Sequence, residues 1–173
     1  LAIIEDYAVR EILFYGQTGK KTAVDRQTMF QAASVSKLVT ALVVHHYAAL
    51  GVLNLDADVN QYLRSWKIPM NPYTKEQVVT LRQLLSHRSG LPSTNFEYTG
   101  QGIPTLDQIL DGAAPALNKP AIPEEVPGRG WTYSNIGYAL IQKILEDRLG
   151  KPLQEIAKEA LFQPVGMDLS TFE

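Results

Sequence analysis

Ser34 and Lys37 lie three residues apart, and a long apolar run follows them. If that run is a helix, residues i and i+3 lie on the same face, so the two side chains can touch. A serine in the first turn of a helix also lies beside free backbone N–H groups, at the positive end of the helix dipole. A hydroxyl that has an amine beside it to accept its proton, at a site that stabilises negative charge, is typical of an activated nucleophile.

The same pair has a structural interpretation. A serine and a lysine at this spacing occur by chance about once in a chain of this length, and they can be an N-cap and a surface residue. The position of the pair favours the chemical interpretation, because a strand-like segment precedes it and an apolar helix follows it.

The run that follows the pair is apolar at almost every position of residues 38–50, and its exceptions are Thr40, His45 and His46. This pattern predicts a helix that is apolar on nearly all sides and buried in the middle of a domain. Gly51 is expected to end it in the left-handed conformation. A buried helix is a stiff support for a catalytic side chain.

A second candidate group, Tyr133 and Asn135, follows a proline-rich loop and precedes a predicted helix. Two such side chains at the end of a loop can both face a cleft. The phenol could then relay a proton, and the amide could hold a substrate carbonyl. The structural alternative is a tyrosine packed in the core and an asparagine that caps the helix.

The elements that position these residues are predicted to be mainly helical. Residues 1–16 read as two short strands, at 2–4 and 12–15, which need partners because two strands alone are marginal in water. Helices are predicted at residues 56–66, 80–87, 105–111, 134–150 and 152–161, and irregular chain at residues 17–26, 67–79, 91–104 and 113–130. The fold class is therefore a mainly α-helical domain with a small β element.

Composition excludes several classes of function. The chain of 173 residues has a net charge of -2, which gives no electrostatic case for binding nucleic acid. It has no cysteine, and its three histidines lack metal-ligand spacing, so we expect no metal and no cofactor. No apolar run reaches membrane-spanning length, and no signal peptide is visible. The first residues look like a trimmed N-terminus, which leaves the compartment open.

Several motifs, taken in order, resemble those of the serine β-lactamase and penicillin-binding-protein superfamily, and within it the class C-like branch. Residues 30–37 resemble its nucleophile motif, and residues 51–56 follow the pattern after its helix. Further similarity lies in Leu84-Leu85-Ser86-His87-Arg88-Ser89-Gly90-Leu91, in Pro127-Gly128, in Tyr133-Ser134-Asn135, and in residues 162–167. This resemblance covers nearly the whole chain.

The resemblance implies a role for each matching residue. Ser34 is the acylated nucleophile, and its N–H is half of an oxyanion hole. Lys37 is the base or proton shuttle, Tyr133 is a second acid or base, and Asn135 positions the substrate. His87 is interpreted as structural, and Arg88 stands where the family usually has threonine. Family members are often periplasmic or extracellular.

One departure from the family pattern limits what this chain can do. The third family motif, Lys-Ser/Thr-Gly or His-x-Gly on a strand that supplies the other oxyanion N–H, has no counterpart here. We therefore expect a fragment of the larger α/β (α+β) fold. It consists of opening strands (residues 1–29) and a helical domain (residues 30–173), and the missing C-terminal part is its partner.

The expected activity is that of a serine hydrolase acting on a β-lactam, a D-amino-acid peptide or a small ester, with this chain alone weak or inactive. Two alternatives stay open. One is a carboxylesterase on the same scaffold, and the other is a member that binds without catalysis.

Overall fold

The structure is a computed structural model that describes residues 1–100 and 102–172. Gln101, in the loop predicted at residues 91–104, and Glu173, at the end of the predicted helical domain, lie outside the described residues. The strands are β1 (Ala2–Glu5) and β2 (Ala8–Ile12), and the α-helices are α1 (Ser36–Ala49), α2 (Pro72–Glu76), α3 (Leu81–Leu85), α4 (Leu106–Asp111), α5 (Asn135–Leu149) and α6 (Leu153–Ala157). The fold is mainly helical with a small β element, as predicted.

The hydrophobic core is built around α5. Leu140, Ile141 and Ile144 in its middle are fully buried. Helices α1, α3, α4 and α6 all contact α5, so each of them buries an apolar face against it. The core side chains that these neighbours contribute include Val43, Val44, Leu81, Leu84, Leu110 and Ile156.

Helix α1 is not buried on nearly all sides, and that prediction is wrong. Val43 and Val44 are fully buried, but Leu38 and Leu42 are 61% and 47% exposed. The predicted end of the helix is confirmed, because Gly51 follows it with a φ of 71°. Apolar periodicity predicts that a helix forms, but it does not tell how many of its faces find a partner.

Strands β1 and β2 pair as an antiparallel hairpin in which Ala2 lies opposite Ile12. Asp6 and Tyr7 connect them with φ values of 50° and 62°, as in a tight two-residue turn with both residues left-handed. The second strand was predicted at residues 12–15, which is too late. The error arises because the turn contains neither glycine nor asparagine, the usual signals for such a turn.

Two predictions between α1 and α3 are also wrong. Instead of a helix over residues 56–66, the chain forms only the 3₁₀ turn Val59–Gln61. The Asn60 side chain exchanges two hydrogen bonds with the backbone of Ile68, which draws the chain back on itself. Residues 67–79 contain α2, because Asn71 and Thr74 form a capping box around Pro72 at the first helical position.

The predicted ends of the other helices are largely confirmed. Thr80, Thr105 and Ser134 cap α3, α4 and α5, each accepting a hydrogen bond from a backbone N–H in the first turn. Gly150 ends α5 with a φ of 70°. Helix α6 follows Pro152 and continues into a π-helical turn, Lys158–Phe162. Within the described ranges, none of the helices has the length and apolar character needed to cross a bilayer.

Candidate active site

Ser34 and Lys37 meet at the entrance to α1. Ser34 lies in the 3₁₀ turn Ala33–Val35, which leads directly into α1, and Lys37 is the second residue of that helix. The Lys37 Nζ donates a hydrogen bond to the Ser34 Oγ over 3.2 Å. Neither the 3₁₀ turn nor α1 has a side-chain cap, so the alternative that Ser34 is an N-cap does not hold.

Tyr133, just before α5, reaches the same serine oxygen. Its hydroxyl donates a hydrogen bond to the Ser34 Oγ over 2.8 Å. The Lys37 Nζ also lies 4.9 Å from the centre of the Tyr133 ring, so the amine, the phenol and the serine hydroxyl form one cluster. The Tyr133 side chain keeps 36% of its surface exposed, which excludes the alternative of a tyrosine packed in the core.

Charge and hydrogen bonding change the acidity of the phenol. Two hydrogen bonds lower the pKa of Tyr133 below its usual range. The larger effect comes from the bond with Lys37, and the next from the bond with Ser34. Both interactions favour the ionised phenolate over the neutral phenol. A lower pKa brings Tyr133 closer to the acidity at which a side chain exchanges protons with a reacting group near neutral pH.

The backbone just before Ser34 is strained. Ala33 has a φ of 45°, in the left-handed region that residues with a Cβ seldom adopt. Such a residue costs of the order of 1–3 kcal/mol, and this strain is found most often at functional sites. The sequence gives no sign of this conformation, because alanine shows no preference for it.

Asn135 lies at the start of α5, and its contacts differ from those of the other three candidates. Its Nδ2 donates a hydrogen bond to the carbonyl of Thr94 over 3.1 Å. Within the described residues, no hydrogen bond joins Asn135 to Ser34, Lys37 or Tyr133. The structure therefore brings three of the four predicted site residues together, whereas Asn135 is joined by its amide to Thr94.

Two residues close to the site, Tyr138 and Ser134, were assigned no role there from the sequence. Tyr138, one turn into α5, lies with its ring centre 5.5 Å from the Lys37 Nζ, and its hydroxyl donates to the Leu85 carbonyl. Burial raises the pKa of Tyr138. Ser134 donates through its hydroxyl to the carbonyl of Pro92 and so ties Pro92 to the start of α5. The contact of Tyr138 with Lys37 joins α5 to α1, so no local pattern in the sequence signals it.

Arg88, the departure from the family pattern, serves loop packing. Its guanidinium donates to the carbonyl of Gly128 over 3.0 Å, and the Gly128 N–H donates to the Arg88 carbonyl over 2.7 Å. These bonds join the turn after α3 to the proline-rich loop that leads to Tyr133. The arginine therefore helps to fix the segment that carries the phenol.

Comparisons with known proteins support a family assignment. The sequence model of the family described as Beta-lactamase matches residues 1–173. Penicillin-binding protein 4* of Bacillus subtilis (strain 168) is 31% identical over 158 residues, which is 89% of this chain and 33% of the relative. Esterase EstB of Burkholderia gladioli is 33% identical over 149 residues, which is 81% of this chain and 37% of that esterase.

A solved structure shares the fold. The D-amino acid amidase from Ochrobactrum anthropi SV3, crystallised with L-phenylalanine amide, superposes with a TM-score of 0.65 at 28% identity. The match covers 86% of this chain and 40% of the amidase chain. Against the two curated relatives the chain spans only 33% and 37% of their length.

Proposed function

The chain belongs to the β-lactamase family, and we propose on this premise that it carries the nucleophile of a serine hydrolase that works through an acyl-enzyme. The observation that carries the proposal is the convergence of Lys37 and Tyr133 on the Ser34 oxygen, at 3.2 and 2.8 Å. A nucleophile with two proton-exchanging groups in hydrogen-bond reach has what acyl transfer needs. The motif pattern favours the class C-like branch of the family.

In the proposed reaction the Ser34 Oγ forms a bond to the carbonyl carbon of an amide or ester. Both Lys37 and Tyr133 donate to this oxygen in the structure, so one of them must first be in its unprotonated form to accept the serine proton. That proton then passes to the leaving nitrogen or oxygen as its bond to the carbonyl carbon breaks. Water afterwards attacks the acyl-serine ester, releases the acid and restores the hydroxyl.

Negative charge on the carbonyl oxygen needs donors as the bond forms. We propose the N–H of Ser34, at the start of a helix where backbone N–H groups lack intrahelical partners, as one of them. Asn135, the first residue of α5, is proposed to hold the substrate through its amide. Removing one such donor typically costs about a hundred- to a thousand-fold in rate.

The proposed substrate is a β-lactam, a D-amino-acid peptide or amide, or a small ester. The relatives named above include a penicillin-binding protein, an esterase and a D-amino acid amidase, which supports this range of carbonyl compounds. The second candidate is a carboxylesterase on the same scaffold, favoured by the 33% identity to Esterase EstB. Comparing turnover of a chromogenic cephalosporin, a fluorogenic ester and a D-aminoacyl anilide separates these possibilities.

We further propose that residues 1–29 belong to a sheet domain and residues 30–173 to a helical domain, and that a further part of the same protein completes both. Three observations support the existence of this further part. The chain spans 33% of its relative from Bacillus subtilis, no third strand joins β1 and β2 among the described residues, and Leu38 and Leu42 of α1 are exposed.

The 173-residue chain alone is therefore expected to be a weak enzyme. Without a second oxyanion donor, its kcat/KM should lie at least about a hundredfold below that of a protein carrying the third family motif. The measurement is turnover of the same ester by the purified chain and by a longer form of the protein. Rapid turnover by the chain alone would refute this prediction.

A non-catalytic binding protein is the alternative from a different class. A fluorescent penicillin and a serine-reactive fluorophosphonate distinguish the two, because an activated serine forms a covalent bond with both of them. Failure of both probes to label the longer form of the protein would favour the binding alternative.

A further inference from the structure

His87 makes three contacts with the short segment that carries Tyr133. The backbone carbonyl of His87 accepts a hydrogen bond from the Thr132 N–H over 2.9 Å. Its Nδ1 accepts a hydrogen bond from the Ser134 N–H over 3.1 Å. Its ring also lies against the Tyr133 ring, with 4.5 Å between the centres. The residues before and after Tyr133 are thus both hydrogen-bonded to the one histidine.

We propose that His87 is a positioning residue whose neutral imidazole holds the Tyr133 phenol in hydrogen-bonding reach of Ser34. The proposal rests on the function proposed above and adds a residue to that site. Tyr133 is partly exposed and follows a long loop, so its own packing does not fix it. The 2.8 Å contact of its hydroxyl with Ser34 therefore depends on what holds the backbone on either side.

The backbone of His87 directs its ring towards this segment. Its φ is 59°, in the left-handed region, which turns the chain sharply after α3. The turn lets the carbonyl and the ring of the same residue face the Tyr133 segment together. A left-handed residue with a Cβ is costly, so the surrounding contacts must over-determine it.

The hydrogen bond from Ser134 fixes the protonation state of the ring. Because the N–H of Ser134 donates to Nδ1, that nitrogen must be unprotonated and the neutral ring carries its proton on Nε2. A second proton on Nδ1 would face the Ser134 N–H, and the bond would be lost. In acid, therefore, His87 should release the Tyr133 segment.

Four side chains from three parts of the fold face the ring. They are Lys37 from α1, Trp131 and Tyr133 from the segment before α5, and Tyr138 from α5. Burial, and after it the charge of Lys37, lowers the pKa of His87 below its usual range. The ring of His87 is therefore neutral in the folded protein. The stabilisation that the neutral ring gives to the folded state is present above the ordinary histidine pKa. It is lost as the pH falls through the lowered pKa.

Two variants separate the hydrogen bond from the ring contact. His87→Phe keeps an aromatic ring against Tyr133 but loses the acceptor for Ser134. His87→Asn keeps an acceptor oxygen near the position of Nδ1, tolerates a positive φ and has no proton to gain near neutral pH. In a longer form of the protein, labelled with a fluorescent penicillin, we expect the acylation rate of His87→Phe to fall about a hundredfold. His87→Asn should retain most of that rate.

The pH dependence distinguishes positioning from a merely structural role. The ratio of the His87→Asn acylation rate to the wild-type rate should stay constant above the ordinary histidine pKa. It should rise as the pH falls through the lowered pKa of His87, because only the wild type then loses the Ser134 bond. His45→Asn, in which an exposed histidine of α1 is replaced, is the matched control and should give a constant ratio. A constant ratio for His87→Asn, or a normal rate for His87→Phe, would overturn the proposal.

A measurement that needs no catalysis tests the same contact. In ¹⁵N-labelled protein the Ser134 amide resonance should shift with a midpoint below the ordinary histidine pKa, and the Tyr133 ring resonances should change with it. Both changes should be absent in His87→Asn. A Ser134 amide resonance that does not shift over this pH range would refute the role of His87. Failure of the wild type to be acylated would instead refute the proposed function.

Discussion

Replacing Ser34 by alanine should reduce covalent labelling by a fluorescent penicillin or a fluorophosphonate to background. The Ser34 Oγ is the atom on which Lys37 and Tyr133 converge, at 3.2 and 2.8 Å. Without it no acyl bond can form at this site, although substrate can still bind. The measurement is in-gel fluorescence of a longer form of the protein and its variant after the same exposure to the probe.

Ser36→Ala is the matched control for this loss. Ser36 is the first residue of α1 and has a hydroxyl two residues after Ser34, and its backbone carbonyl accepts from Thr40. Its hydroxyl makes no hydrogen bond to Lys37 or Tyr133 in the described structure. Ser36→Ala should therefore be labelled like the wild type. Persistent labelling of Ser34→Ala would mean that another residue is the nucleophile.

Replacing Lys37 by methionine should lower the rate of acylation by about 100- to 10,000-fold, the usual range for loss of a general base. Methionine keeps an unbranched apolar side chain of similar length but can neither hold nor transfer a proton. The change also removes the hydrogen bond that contributes most to lowering the pKa of Tyr133, so the phenol should become a weaker acid. The measurement is the pre-steady-state rate of acylation at saturating probe.

Lys20→Met controls for the loss of one positive charge, because Lys20 is an exposed lysine in the polar loop before the site. It should be acylated at the wild-type rate. Circular dichroism of both variants tests whether each one keeps its helices. A folded Lys37→Met variant that is acylated at the wild-type rate would exclude Lys37 as the base and leave Tyr133 as the candidate.

Much of the site geometry follows from local patterns in the sequence. The spacing of Ser34 and Lys37 places them one turn apart once the apolar run is helical, and they are in contact. The side chains that cap helices also follow from short-range chemistry, as Thr80 and Ser134 show. What the sequence could not provide is the contact of Tyr133 with Ser34, because the two residues lie 99 positions apart along the chain. That contact depends on how α1, α3 and α5 pack.

Other features escaped prediction because no local residue preference marks them. Ala33 and His87 adopt left-handed backbone conformations, which are uncommon for any residue except glycine, although histidine adopts them more often than alanine. The hairpin turn at Asp6 and Tyr7 has no glycine, so the second strand was placed too far along the chain. Helix α1 is apolar on several sides, and only the tertiary structure shows that Leu38 and Leu42 remain exposed.

The most direct test of the proposed function is to locate the acyl group. A longer form of the protein is mixed with a fluorescent penicillin, quenched in acid and digested with trypsin, which cleaves after Arg26 and Lys37. Fragment-ion masses of the peptide of residues 27–37 should place one added acyl group on Ser34 and none on Ser36. An acyl group on any other residue, or an unmodified peptide from protein that has consumed the probe, would contradict the assignment of Ser34 as the nucleophile.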